Sequence, residues 1–195
     1  MKLYENIILM KRLRRQGWVR AGVPFSSIES LADHSWSVAF LTYILCVLEN
    51  SFRVAKRKHP LDIEKAVLIG LVHDLSESEC LDMDKSFNNV VYNKEHLAQF
   101  QQKVQEGAIH NILGKVPLPL KESFERILND QQSEEYHIAR VSDFIDLIHQ
   151  ANEYRKKRWL DKNQFQGFKM HALQQLQQYE EQFSFLEKYL KEFIL

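Results

Sequence analysis

The sequence predicts an all-α protein, and three observations support this fold class. Apolar residues recur at intervals of three and four along nearly the whole chain, which is typical of amphipathic helices. No segment keeps the alternation of apolar and polar residues that a half-buried strand requires. The 195 residues include only four prolines and six glycines, which favours long regular elements over a many-turned β fold. This length suits one hydrophobic core, so we expect a single domain over residues 1–195.

The N-terminal part of the chain predicts three helices. Apolar spacing over residues 3–13 indicates a first helix, and residues 17–28, with two glycines and a proline, predict a loop. A second helix is expected from about residue 31 to residue 50. Its expected core face consists of Leu41, Ile44, Leu45 and Leu48. Asp62 is a candidate N-cap for a third helix that runs through His73.

The C-terminal part predicts further helices. Residues 76–93 are polar and mixed, which is typical of a loop with a short helix. Helical spacing resumes over residues 94–113, and a short helix is expected after Pro119. One long helix is predicted from Ser133 to about residue 160. Its expected core face consists of Ile138, Val141, Ile145 and Ile148. A final helix at about residues 168–194 packs on the domain or forms an interface.

Composition and charge exclude several classes of partner. The 26 basic side chains equal the 26 acidic ones, which argues against a whole-protein grip on nucleic acid or on an anionic membrane. The longest apolar run, residues 38–48, is too short to span a bilayer, and the N-terminus lacks the features of a signal peptide. Cys46 and Cys80 form no CxxC pair and are too few for a disulfide framework. We therefore expect a cytoplasmic protein that binds neither nucleic acid polymers nor membranes.

The segment LIGLVHDLSES places chemically active side chains directly after an apolar stretch. His73 and Asp74 are adjacent and able to bind a metal, and Glu77 follows. On one helix, His73 and Glu77 share a face one turn apart, so the three groups would point toward one volume. A polar helix end without a function is the alternative explanation for the same residues.

Two further segments strengthen the functional interpretation. His34 begins the second predicted helix, in ESLADHSWSVAFL, and Asp143 lies on an apolar helical face, where a buried carboxylate is costly unless it is paired or metal-bound. In this order the segments resemble the HD-domain superfamily of metal-dependent phosphohydrolases, whose signature is H…HD…D on an all-α bundle. The likeness is greatest to the 5′-deoxynucleotidase branch and covers about residues 9–155. The matching motifs are Arg15 to Trp18, Glu29 to His34, His73 to Glu77, and Asp143 ahead of Glu153-Tyr154.

The resemblance implies a ligand set and an activity. The implied metal ligands are His34, His73, Asp74 and Asp143. This mixed nitrogen and oxygen set suits one divalent transition metal, such as Mn, Co, Fe, Ni or Zn. Glu77 is implied as the catalytic acid/base residue that acts on the attacking water. The implied reaction is hydrolysis of nucleoside 5′-monophosphates, deoxy forms above all, by a homodimer with an HD-type helical bundle.

The resemblance also implies three substrate-binding residues: Arg15, Trp18 and Asp82. Arg15 lies in the basic segment KRLRRQGWVR and would hold a phosphate in a bidentate fork while Trp18 closes the pocket. Asp82 matches an aspartate that contacts the sugar hydroxyl. The sequence departs from the branch at Gly17, where an arginine is usual, so Arg15 or Arg20 would have to hold the phosphate. It departs again at Leu81, where glycine is usual.

Other interpretations stay open at this point. The same HD site suits a cyclic nucleotide, a nucleoside triphosphate or a guanosine alarmone. His96 and His110, fourteen positions apart, would suit a second metal, as in phosphodiesterase-type HD proteins. Asp146 lies one turn from Asp143 and competes with it as a ligand. A non-catalytic interaction module that uses the C-terminal apolar stripe is the remaining alternative.

Overall fold

The computed structural model describes residues 2–80, 94–114 and 116–194, and these residues are helical with no strand among them. The predicted all-α class is therefore confirmed. The α-helices of these ranges are α1 (Lys2–Met10), α2 (Gln16–Arg20), α3 (Leu31–Ala55), α4 (Ile63–Val72), α5 (Glu77–Cys80), α6 (Lys94–Leu113), α7 (Leu118–Asn129), α8 (Glu134–Lys156), α9 (Lys162–Leu176) and α10 (Leu186–Tyr189). Shorter elements are the 3-10 turns Phe25–Ser27 and Gln177–Tyr179 and a π turn at Leu190–Ile194.

The chain divides into two compact units. Unit 1 consists of residues 1–33 and 73–126, and unit 2 consists of residues 34–72 and 127–195. The single domain that the sequence predicts over residues 1–195 stays a prediction.

In unit 1, helices α1, α5 and α6 pack against one another. Helix α1 ends at Met10, earlier than predicted, because the chain that follows pairs with a later segment. Leu31 donates its backbone N–H to the carbonyl of Leu13 at 3.0 Å, and Arg15 donates to the carbonyl of Glu29 at 3.3 Å. The predicted loop at residues 17–28 is wrong in part, since it contains most of α2 and a 3-10 turn.

In unit 2, helix α8 lies at the centre of the core. Its four predicted core residues are all buried, and its start at Ser133 is confirmed because the Ser133 hydroxyl accepts the N–H of Tyr136 at 3.2 Å. Of the face predicted for α3, Leu45 is buried, whereas Ile44 and Leu48 are exposed. The buried residues around α8 are Leu45, Cys46, Leu61, Ala66, Ala172, Leu176, Phe183, Phe185, Leu186 and Leu190.

Helices α3 and α4 approach closely at Gly70. A Cβ added there would lie 3.0 Å from Oγ1 of Thr42 and 3.2 Å from Cα of Ala39. A methyl group here would crowd both neighbours, which explains a glycine inside a helix despite its conformational cost.

The predicted final helix at about residues 168–194 is wrong as one continuous element. Helix α9 begins at residue 162 with a reciprocal cap between Asp161 and Gln164, and it ends at Leu176. The chain then leaves the helical path so that Phe183 and Phe185 both reach the core, and the N–H of Ser184 donates to Oε2 of Glu49 at 2.8 Å. The C-terminal segment thus packs within unit 2.

An ion pair between a buried arginine and an exposed glutamate ties α3 to α8. Arg53 is 4% exposed and donates to both carboxylate oxygens of Glu134, at 2.6 and 2.8 Å, and to Glu49 at 3.2 Å. The hydrogen bond from Arg53 holds the pKa of Glu134 below its usual value.

One turn before Glu49, burial raises the pKa of the Cys46 thiol to about 12, so this thiol stays protonated.

By length and composition α3 is apolar enough to cross a membrane, which the shorter run at residues 38–48 did not indicate. One side of this helix belongs to the core of unit 2, as core helices of the same composition commonly do. The residues on that side are His34, Ser35, Val38, Thr42, Leu45, Cys46, Glu49 and Arg53.

Candidate functional site

The segment after α4 forms a turn, so the prediction that His73 and Glu77 share a helix face is wrong. Helix α4 ends at Val72, and residues 73–76 form the turn. The backbone N–H of Glu77 donates to the carbonyl of Asp74 at 3.0 Å, and Ser78 donates both its N–H and its hydroxyl to the carbonyl of Leu75. Short polar side chains compete in this way with helical backbone bonds, which ends the helix after the apolar stretch.

The turn brings His73 and Asp74 of unit 1 together. Nε2 of His73 lies 3.2 Å from Oδ1 of Asp74. The other carboxylate oxygen, Oδ2, accepts a hydrogen bond from Nη1 of Arg15 at 2.6 Å. Asp74 is 9% exposed, and a carboxylate at this depth is stabilised by its arginine partner. Arg15, predicted to bind phosphate, thus contacts a predicted metal ligand.

Unit 2 contains the same arrangement built from different elements. Nε2 of His34, on α3, lies 3.2 Å from Oδ1 of Asp143, on α8. Oδ2 of Asp143 accepts a hydrogen bond from Nη1 of Arg140, one turn earlier on the same helix, at 2.7 Å. Each unit therefore presents a histidine nitrogen beside one oxygen of an aspartate whose second oxygen is bound by an arginine.

Both the backbone and the ring of His34 are held by neighbouring side chains. A reciprocal cap between Ser30 and Asp33 starts α3 immediately before it, with bonds of 2.9 and 3.1 Å. Nδ1 of His34 lies 2.8 Å from Oδ2 of Asp146, and the hydroxyl of Ser37 donates to Oδ1 of the same carboxylate. A ring that donates its Nδ1–H to this carboxylate would offer Nε2 to a metal.

Asp146 contacts His34, and the sequence did not reveal this contact. It is 5% exposed and was considered only as a competing ligand, because it lies one turn from Asp143. The signal available was its spacing of three residues, which puts both carboxylates on one face of α8. Which of the two carboxylates lies beside Nε2 of His34 depends on how α3 packs against α8. This packing cannot be inferred from the spacing of the residues in the sequence.

The distances in both histidine–aspartate pairs fit a shared metal. Bonds from a divalent transition metal to nitrogen or oxygen are about 2.0–2.2 Å, so two ligands of one ion lie about 2.9–3.4 Å apart at bond angles of about 90–110°. Both observed separations, 3.2 Å, fall in this range. Imidazole nitrogen and carboxylate oxygen are donors that divalent transition metals accept. Each pair, His34 with Asp143 and His73 with Asp74, therefore has the donors and the spacing of two ligands of one ion.

Glu77, the predicted acid/base residue, is the first residue of α5 and is half-buried. Glu79 on the same short helix accepts hydrogen bonds from Asn6 and Asn111, both at 3.4 Å, and pairs with Lys2 at 2.9 Å. The hydrogen bond from Lys2 lowers the pKa of Glu79, which keeps this carboxylate ionised. These contacts to α1 and α6 hold the helix that carries Glu77.

The remaining predicted site residues have different outcomes. Trp18 is 2% exposed, and its indole N–H donates to Oε1 of Glu29 at 2.7 Å, so the ring fills the core of unit 1. Its predicted contact with substrate stays a prediction. Asp82 and Leu81 lie outside the described residues, as does the side chain of His96, so the sugar contact and the second-metal alternative also stay predictions.

Comparison with known proteins identifies the relatives of this chain. Residues 2–193 match the family model described as 5′-deoxynucleotidase YfbR-like. A protein named 5′-deoxynucleotidase yfbR, from Photorhabdus temperata, is 29% identical over 113 residues, or 58% of this chain. That alignment spans 54% of the relative, so this chain covers about half the length of the curated relative.

Solved structures share the fold of this chain. The PH0347 protein of Pyrococcus horikoshii is 29% identical and has a TM-score of 0.65, with 95% of this chain and 96% of that chain covered. An HD-domain phosphohydrolase from Listeria innocua has a TM-score of 0.74 at 19% identity, with 98% of this chain and 85% of that chain covered, and it supports the all-α HD fold alone. The chain belongs to the YfbR-like 5′-deoxynucleotidase family.

Proposed function

We propose that this protein is a metal-dependent phosphomonoesterase that hydrolyses deoxynucleoside 5′-monophosphates to a deoxynucleoside and phosphate. The observation that carries the proposal is the pair of histidine–aspartate contacts, each with the nitrogen and oxygen 3.2 Å apart and each with an arginine on the second carboxylate oxygen. Membership of the YfbR-like family supports the reaction and the substrate class.

His34, His73, Asp74 and Asp143 together hold one divalent transition metal in this proposal. When bound, such a metal lowers the pKa of a coordinated water and polarises a phosphoryl oxygen. Asp146 holds the His34 ring with Nε2 available, and Arg15 and Arg140 hold Asp74 and Asp143 so that each offers Oδ1. Each aspartate would keep its second oxygen on an arginine while it helps to hold the metal.

The remaining residues handle the proton and the substrate. Glu77 takes a proton from the attacking water and returns it to the O5′ atom that leaves as the P–O5′ bond breaks. Arg15, with five N–H donors in a planar fork, contacts a phosphate oxygen while it keeps its bond to Asp74. Asp82 binds the sugar hydroxyl, and Trp18 supports the turn that carries Arg15.

The cellular setting completes the proposal. The protein works in the cytoplasm, which fits the small number of cysteines. It acts on a small nucleotide and on neither nucleic acid polymers nor membranes. Its active form is a homodimer.

Phosphate release from a panel of nucleotides tests this function. The purified chain, loaded with Mn²⁺ or Co²⁺, should release phosphate faster from deoxynucleoside than from ribonucleoside 5′-monophosphates. Asp143→Ala should reduce the rate to background, whereas Glu153→Ala, an exposed change on the same helix, should leave it unaltered. Wild type without bound metal, or Asp143→Ala with full activity, would contradict the proposal. Pyrophosphate or a linear nucleotide as product would redirect it to a triphosphate, an alarmone or a cyclic nucleotide.

A further inference from the structure

Helix α3 exposes a continuous apolar surface on the side opposite its buried residues. From Trp36 to Leu48 its members recur at three and four residues, and Val54 lies six residues further on. They are from 38% to 69% exposed, and Trp36 stacks on Phe40 with ring centroids 5.7 Å apart. We call this surface the α3 stripe. It consists of Trp36, Phe40, Tyr43, Ile44, Val47, Leu48 and Val54. At about 1.5 Å per residue the stripe is about 27 Å long.

The area of the α3 stripe is close to what a stable protein interface needs. With about 200 Å² for a fully exposed large side chain, the seven exposed fractions correspond to roughly 700 Å² of apolar surface. The largest apolar patch on a typical monomer is about 300–600 Å². A standard specific interface buries about 800 Å² on each partner. The stripe is therefore large for a monomer and near the size of one side of an interface.

The charges around the stripe suit a second copy of the same helix. Within the span of the stripe the charged residues of α3 are Glu49 and Arg53, and both are buried on the other side. At its N-terminal end α3 carries the exposed carboxylate of Asp33, and the exposed cations Arg57 and Lys58 follow its C-terminal end. An antiparallel copy would place opposite charges together at both ends, with antiparallel helix dipoles.

We propose that the α3 stripe is the interface of the homodimer proposed above, with two α3 helices packed antiparallel about a two-fold axis. An axis near residue 45 sets Asp33 opposite Arg57 and Trp36 opposite Val54. It also sets Tyr43 opposite Val47, so aromatic rings meet β-branched side chains along the contact. A two-fold interface of this kind is self-complementary and closes after two copies.

A membrane surface is the alternative partner for the α3 stripe. Interfacial helices combine an apolar face with lysines and arginines along the polar face. From residue 31 to residue 52, α3 contains neither lysine nor arginine, and its opposite side belongs to the core of unit 2. These features favour a second copy of the chain over a lipid surface.

The mass in solution tests the interface. By light scattering, wild type should have twice the mass of the chain, and Phe40→Asp should be a monomer, with a dimer dissociation constant raised at least 100-fold. Met170→Asp is the matched control, since Met170 is 62% exposed on α9, and it should stay dimeric. Circular dichroism melting identifies a variant that fails to fold, and Val47→Asp then replaces it. A monomeric wild type, or a folded dimeric Phe40→Asp, overturns the proposal.

Crosslinking tests the antiparallel register. In a Cys80→Ser background, Val47→Cys should form a covalent dimer with a short bismaleimide. Trp36→Cys should not, because its two copies would lie about 27 Å apart along the axis. Crosslinking at residue 36 overturns the register. Flotation of wild type with phosphatidylglycerol vesicles overturns the choice of occupant. These readouts need no substrate, so they stay independent of the proposed hydrolysis.

Discussion

Replacing Asp146 tests how this buried carboxylate prepares His34 for a metal. Oδ2 of Asp146 lies 2.8 Å from Nδ1 of His34, and Ser37 holds the other oxygen. Without the carboxylate, the imidazole loses the partner that fixes its orientation and its tautomer. Such outer partners of metal-binding histidines typically contribute 10- to 100-fold in metal affinity. Asp146→Ala should therefore weaken Mn²⁺ binding by about that factor, roughly 1.4–2.8 kcal/mol.

Isothermal titration with Mn²⁺ measures this loss directly. Asp146→Asn keeps an oxygen that accepts the Nδ1–H, so it should retain most of the affinity. Asp143→Ala removes a proposed ligand and should bind more weakly than Asp146→Ala. Glu153→Ala provides the baseline, because this exposed residue of α8 pairs only locally with Lys156 at 2.6 Å among the contacts described.

Two results would refute the reasoning about Asp146. Equal dissociation constants for wild type and Asp146→Ala would mean that the carboxylate does not prepare His34. A loss as complete as that of Asp143→Ala would mean that Asp146 is itself a ligand, which is the alternative that its spacing on α8 left open.

Three further predictions follow from other contacts. Gly70→Ala should lower the free energy of unfolding by about 1–3 kcal/mol, since the new methyl group meets Thr42 at 3.0 Å; an unchanged midpoint in urea would contradict this. Because Arg53 lowers the pKa of Glu134 in the folded protein, their ion pair stabilises fully above the usual glutamate pKa of about 4.3 and is lost as pH falls through the lowered value. The difference in melting temperature between wild type and Glu134→Gln should therefore shrink below about pH 4. Glu79→Ala releases α5 from its anchors, so the rate of phosphate release should fall about 10- to 100-fold while the Mn²⁺ dissociation constant stays within error.

The sequence predicted the elements whose periodicity is strong and whose ends carry clear signals. Helix α6 matches the predicted span of 94–113, and α8 begins after Ser133 with the expected core face. Asp62 caps α4 as predicted, since its carboxylate accepts the N–H of Lys65 at 3.0 Å. In these helices the local side-chain bonds and the burial of the apolar face favour the same structure. The local sequence pattern is therefore sufficient to predict the helix.

The prediction was wrong where a side chain needed a partner distant in sequence. The periodic apolar residues after Leu176 continue a helical pattern, yet the chain bends so that two phenylalanines reach the core and Ser184 meets Glu49. Tertiary contacts decided the local structure of that segment. At His73 the reason is local, since the turn bonds of Asp74 and Ser78 join residues three apart and are not visible in the apolar spacing.

The arginines on the two aspartates show most clearly what sequence reasoning missed. Arg15 was predicted to bind phosphate because of its basic segment, and Arg140 was not singled out. In the structure each donates Nη1 to the Oδ2 atom of an aspartate whose Oδ1 faces a histidine nitrogen. Without a partner, a carboxylate largely removed from water would be costly to keep ionised. One guanidinium on each carboxylate removes that cost before a metal binds and fixes the oxygen that the metal would meet. Lysine in either position would supply the charge without the planar geometry, and is therefore not an equivalent replacement.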